Sequence, residues 1–164
     1  MADGIGDPAH IVASWIHTLA FVIAWGYYGV LGRVILPGLA GALGRPAQVD
    51  ALAAIERRAL PLVLLSVVLF TVTGTWMLVV DPAYAGLGNV AASTWTALMF
   101  AKHVLVVGMV VAGIAVHRLI LRLQGPADDR ARSAILSRVR LSAELATGLG
   151  AGIALLTVAA QASG

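Results

Sequence analysis

The chain has 164 residues, of which 60% are hydrophobic and only 12% charged, giving a mean hydropathy of +0.92. A water-soluble domain of this size carries roughly a quarter of its residues as charges, so the sequence is suited to another solvent, and its length leaves room for one domain. The absence of cysteine excludes disulfides, thiolate metal sites and c-type haem attachment, and the net charge of +3 sits on residues that border apolar runs, which argues against nucleic-acid binding.

The first residues, Met1 to Ala9, include Asp3 and Asp7 but no Lys or Arg. A cleavable signal peptide starts basic, so the first apolar run is expected to stay in the mature protein. A bilayer core about 30 Å thick requires roughly 20 apolar residues in helix. Four runs meet that length: about Ile11 to Leu36, Ala59 to Val80, Thr94 to Leu123 and Leu141 to Ala162. Pro37-Gly38, Asp81-Pro82 and Gln124-Gly125-Pro126 stand where the first three should end, and Pro61 falls in the first turn of the second, where a missing N–H costs nothing. The segment from Ala127 to Arg140 mixes acidic, basic and apolar residues and can prolong the fourth helix. Gly148 and Gly152 form a GxxxG spacing that admits a close helix neighbour. Val and Ile are common in these runs, but open strands cannot cross lipid with unpaired edges, and the runs are too long for barrel strands. The expected fold is all-α: an integral membrane four-helix up-down bundle.

Basic residues give the direction. Arg33, Arg45, Arg57 and Arg58 flank the first connection, and Arg118, Arg122, Arg130, Arg132, Arg138 and Arg140 flank the third, so ten of the 11 Lys and Arg lie on one side. The positive-inside rule makes that side cytoplasmic and puts both termini outside, as expected of a multi-pass protein of a bacterial-type inner membrane. Trp15, Trp76 and Trp95 then gather near the outer boundary as an interfacial belt.

Ionisable residues inside spans are costly, and few occur: His17 in the first, Lys102, His103 and His117 in the third, with Glu144 and Arg33 near inner ends. In an up-down bundle helices one and three run parallel, and His17 and His103 then lie at depths that match within about 3 Å. Two imidazoles at one depth can ligate a single haem b iron from both sides. Ala20, Ala24, Ala101 and Gly108 leave room for a porphyrin. The same two histidines are also compatible with hydrogen bonds to carbonyls or hydroxyls, with copper, or with a proton. Lys102 snorkels outward, pairs with a haem propionate or, deprotonated, ligates in place of His103; adjacent side chains diverge by about 100°, so only one points squarely at a shared centre. His117 is about 21 Å further along than His103. Leu31 occupies the matching depth of helix one, so a second haem lacks a partner ligand, and His117 is expected to cap the inner end beside Arg118. His10 is expected at the interface.

His17 followed by Trp25, then Arg33 in Gly32-Arg33-Val34-Ile35-Leu36-Pro37, resembles the first helix of the superfamily that joins copper-resistance D-type membrane proteins with HemJ-type protoporphyrinogen oxidases. Ile55-Glu56-Arg57-Arg58, then Thr73-Gly74-Thr75-Trp76, is similar to its second helix, and Trp95 with Lys102 to its third. The resemblance covers about residues 11 to 123. It implies a four-helix membrane core in which His17 binds haem b, with Lys102 and Arg33 as candidate partners. His103 directly after Lys102 is outside the pattern, and no outer segment rich in methionine or histidine is present to collect copper. The leading expectation is an electron-carrying b-type cytochrome, held by His17 and His103, working with quinone or other redox subunits of a membrane complex. Porphyrinogen oxidation, copper or proton transport, and a cofactor-free structural subunit are the other expectations.

Overall fold

The computed structural model describes residues 7–81, 93–126 and 128–162. Helix α1 (Pro8–Val30) starts at Asp7, whose carboxylate accepts a hydrogen bond from the Ala9 N–H at 3.0 Å, with Pro8 in the first turn. It passes without a break through a π-helical segment, Leu31–Ile35, into α2 (Leu36–Ala42). The wide turn ends just before Pro37, whose nitrogen offers no hydrogen to the Arg33 carbonyl. Leu43 and Gly44 are extended and break the helix. Helix α3 (Arg45–Val80) begins with Pro46 in its first turn. Helix α4 (Thr94–Leu123) is capped by the Ser93 hydroxyl, which accepts from the Thr96 N–H at 3.1 Å. Helix α5 (Asp129–Gln161) is capped by Asp128, which accepts from the Ala131 N–H at 2.7 Å.

Sequence expectations are corrected at three points, the first being that the first helix does not stop at Pro37-Gly38 but runs on to Ala42, because Pro37 only removes one hydrogen-bond donor at the π-helical turn. The second helix does not begin near Ala59 but at Arg45, so Pro61 lies in its interior rather than its first turn, and the Arg57 carbonyl loses its helical donor there. The first connection is correspondingly a two-residue break between helices. The fourth helix begins at Asp129, so the mixed-charge segment does prolong it. The third helix has the expected bounds. At 36 and 33 residues, α3 and α5 are about 54 and 50 Å long, well beyond the roughly 30 Å of a bilayer core. The surplus lies at their N-terminal ends, which carry Arg45, Arg57 and Arg58 in one and Arg130, Arg132, Arg138 and Arg140 in the other.

Contacts between helices fix the topology. His17 of α1 meets Phe70 of α3, and Tyr27 meets Glu56, so these helices are antiparallel. Gly108 and Leu105 of α4 lie against Leu149 and Gly152 of α5, again antiparallel. The Arg45 guanidinium donates to the Asp129 carbonyl at 2.7 Å, which puts the starts of α3 and α5 at one end, the basic end. Trp15, Trp76 and Trp95 lie toward the other, the tryptophan end. Helices α1 and α4 are therefore parallel and stand diagonally, with α4 packed most closely on α5 and α1 on α3, while α3 and α4 are the most loosely packed of the neighbouring pairs.

The core sits in the half nearer the basic end. Leu31, Leu52, Val116, Ile120, Leu123 and Val139 are buried there. Two aromatic side chains of α1 seat in notches that only glycine leaves open. A Cβ on Gly113 of α4 would lie 2.2 Å from the Tyr28 hydroxyl, and one on Gly150 of α5 would lie 2.2 Å from the Trp25 ring. Trp25 also donates its indole N–H to the Thr147 carbonyl at 2.8 Å. Of the GxxxG pair, Gly152 faces Leu105 within the bundle, whereas Gly148 faces open space. Among the described residues, four helical segments are long and apolar enough to cross a membrane, and no more than a third of each apolar window is buried within the chain. Val68, Val107 and Leu155, at 57%, 63% and 72% exposure, show how apolar the outward surface is.

Candidate functional site

All four long helices contribute to a pocket at the tryptophan end, with a volume of about 290 Å³. Its walls include His17 from α1, Gly74 and Met77 from α3, Lys102 and His103 from α4, and Thr157 from α5. Helices α3 and α4, the most loosely packed neighbours, form two of the walls. The pocket brings together three of the four residues picked out in the sequence: His17, Lys102 and His103.

His17 is held from three directions. Its Nδ1 lies 3.0 Å from the Phe70 carbonyl oxygen and 3.2 Å from the Thr73 hydroxyl, while its ring stacks on Phe70 at 4.2 Å between centroids. A carbonyl only accepts, so Nδ1 carries the hydrogen and Nε2 keeps its lone pair. Gly74 makes the seat: a Cβ there would lie 2.7 Å from His17 Cε1. His103 repeats the arrangement locally, with Nδ1 lying 2.6 Å from the Met99 carbonyl oxygen one turn back. Both imidazoles thus hold the tautomer in which a backbone carbonyl engages Nδ1 and, among the described residues, Nε2 makes no hydrogen bond, the usual state of a histidine that serves as a ligand.

Lys102 and His103 diverge as neighbours on a helix must, Lys102 being the more buried and His103 the more exposed, yet both reach the pocket. His10 also lines it, with its ring 6.1 Å from Trp76. Met77 and Met99 add two thioethers. Arg33 is elsewhere: it is exposed on the π-helical segment, 16 residues and so about 24 Å along the helix from His17, and is not among the pocket's lining residues. A single small ligand cannot be gripped by Arg33 and Lys102 at once.

His117 corrects a further expectation. It does not simply cap a helix end beside Arg118; its Nδ1 lies 3.2 Å from Oε1 of Glu56, whose other oxygen accepts the Tyr27 hydroxyl. Glu56 went unnoticed among the buried ionisable residues because the second helix was expected to start after it. The seating residues Phe70 and Gly74 were equally hidden, since nothing in a run of apolar and small residues marks which ones face a histidine on another helix. Among the described residues, no group of three or more His, Cys, Asp or Glu side chains is placed to hold a metal ion.

No protein-family model matches the chain, and neither a curated protein nor a solved structure matches it significantly.

Proposed function

We propose that this chain is a multi-pass membrane protein whose pocket holds one haem b between helices α1 and α4 and serves electron transfer. Membrane insertion is supported by the four long apolar helices and their largely unburied surfaces. The arginines at the basic end support an orientation with that end in the cytoplasm and both termini outside, in a bacterial-type inner membrane.

The observation that carries the haem reading is the pair of histidines at one pocket, each with Nδ1 committed to a carbonyl and Nε2 making no hydrogen bond among the described residues. His17 and His103 would hold a haem through their imidazole nitrogens, whereas a bare ion held by His, Cys, Asp or Glu alone would need a group of three or more, which the described residues do not form. When bound, haem supplies a one-electron couple. The protein's part is to fix both imidazoles through their carbonyl partners and to surround the site with apolar helix. Lys102 places an amine beside it, which would pair with a propionate as a cation or, deprotonated, would stand in for His103 as second ligand. The redox partner is a quinone or another subunit of a membrane complex.

Met77 and Met99 favour a second reading. Thioethers and imidazoles together form a soft donor set suited to Cu(I), so the pocket is also chemically fit for copper handling.

Spectra of the detergent-purified protein, oxidised and dithionite-reduced, separate these readings. A Soret band with a sharp reduced α-band is expected, and its low-spin character should vanish in His103→Ala if His103 is the second ligand and persist if Lys102 is. A protein without a Soret band that binds Cu(I) stoichiometrically would replace the haem reading with the copper one.

A further inference from the structure

A second cluster of titratable side chains lies toward the basic end. Glu56 of α3 is nearly enclosed, with 7% of its side chain exposed, and is met by α1 and α4 through Tyr27 and His117. Tyr28, whose ring packs edge-on to Tyr27 at 5.3 Å, is the other ionisable group of α1 near it. On α3 itself Arg57 and Arg58 are exposed, and on α5 Arg140 is engaged with Glu144 at 2.8 Å. The charge partner of this buried carboxyl is therefore an imidazole, whose charge is optional, and not a permanently charged guanidinium.

The hydrogen-bonding chemistry then has one variable. The Tyr27 phenol donates to Oε2 in every state. Between Oε1 and Nδ1 of His117, 3.2 Å apart, either the imidazole N–H donates to a carboxylate or a protonated carboxyl donates to the ring nitrogen. His117 is 33% exposed where Glu56 is 7%, so the imidazole is the side that opens out of the bundle.

We propose that the Glu56–His117 pair is a proton-exchange site of the basic half, loaded through His117. A proton binds Nε2 of the neutral imidazole, the Nδ1–H bond breaks as an Oε1–H bond forms, and the result is a carboxylic acid beside a neutral imidazole of the other tautomer. One proton has been bound, no electrons have moved, and the step reverses to release it. Tyr27 holds the carboxyl in place throughout. The site is ten residues, about 15 Å, along α1 from His17 and does not depend on what the pocket binds.

Infrared pH-difference spectra of the full-length protein in detergent test this. On acidification the wild type should gain a buried carboxylic-acid carbonyl band that is missing from Glu56→Gln. Tyr27→Phe keeps both titrating groups but removes the phenol's hydrogen bond, so it should shift the frequency of that band. Identical difference spectra for wild type and Glu56→Gln would overturn the proposal. If Glu56→Gln does not fold, a Tyr27→Phe spectrum indistinguishable from wild type would do the same.

Discussion

In the half of the bundle nearer the basic end, aromatic side chains of α1 sit in glycine notches of two other helices, and a buried carboxyl has both its oxygens engaged. At the tryptophan end the same helices line a pocket with histidine, lysine and methionine. The first half is arranged for close packing: Leu31, Leu52 and Val139 have no exposed surface at all. The second spends its polar side chains on orientation, since the Phe70 and Met99 carbonyls fix two imidazoles whose remaining nitrogens make no hydrogen bond among the described residues. If the four helices lie in lipid, as proposed, apolar burial gains little there and close van der Waals fit is needed somewhere. Concentrating that fit in one half leaves the other free to hold a ligand.

Substitutions should therefore separate the two halves. The largest effect is expected from Gly150→Leu, which forces a side chain into the space of the Trp25 ring. Overpacking of this kind costs about 1–3 kcal/mol or more, and thermal unfolding in detergent followed by circular dichroism should show a clear drop in midpoint. A stable Gly150→Leu protein would mean that the α1–α5 contact is not the anchor described here. An intermediate effect is expected from Gly74→Ala. Its methyl displaces the His17 ring, and loss of such supporting geometry typically costs about 10–100-fold in ligand affinity. Helicity and thermal midpoint should stay near wild type while ligand occupancy falls; a fall in both would join the two halves that the structure separates. The smallest effect is expected from Gly148→Leu, which points a side chain into open space. Its thermal midpoint should match wild type, with a change within about 0.5 kcal/mol.

The sequence makes the fold legible where solvent preference and helix length coincide. Thr94 to Leu123 is such a case: Ser93 caps one end, and Gln124-Gly125-Pro126 follows the other. It misleads at residues 45–58, where Asp50, Glu56, Arg57 and Arg58 end the hydropathic signal although Ala47, Ala51, Leu52, Ala53 and Ala54 are strong helix formers. Hydropathy reports where lipid should stop, and a helix has no need to stop there. That gap concealed Glu56, and with it the partner of His117. In the pocket, His17, Lys102 and His103 are visible because charge-bearing residues in apolar runs are rare. Phe70, Gly74, Met77 and Met99 are not, because their roles come from facing another helix. Arg33 was tied to the site by a shared motif, and its distance along α1 separates it.

The central claim is that the pocket binds haem through His17. The most direct test is the haem-to-protein ratio of the full-length protein, purified from cells supplied with haem precursor, for wild type and His17→Ala. One haem per chain in the wild type is predicted, falling to near zero in His17→Ala while circular dichroism shows the helices intact. A wild-type protein without haem, or a His17→Ala protein that keeps it, would contradict the account.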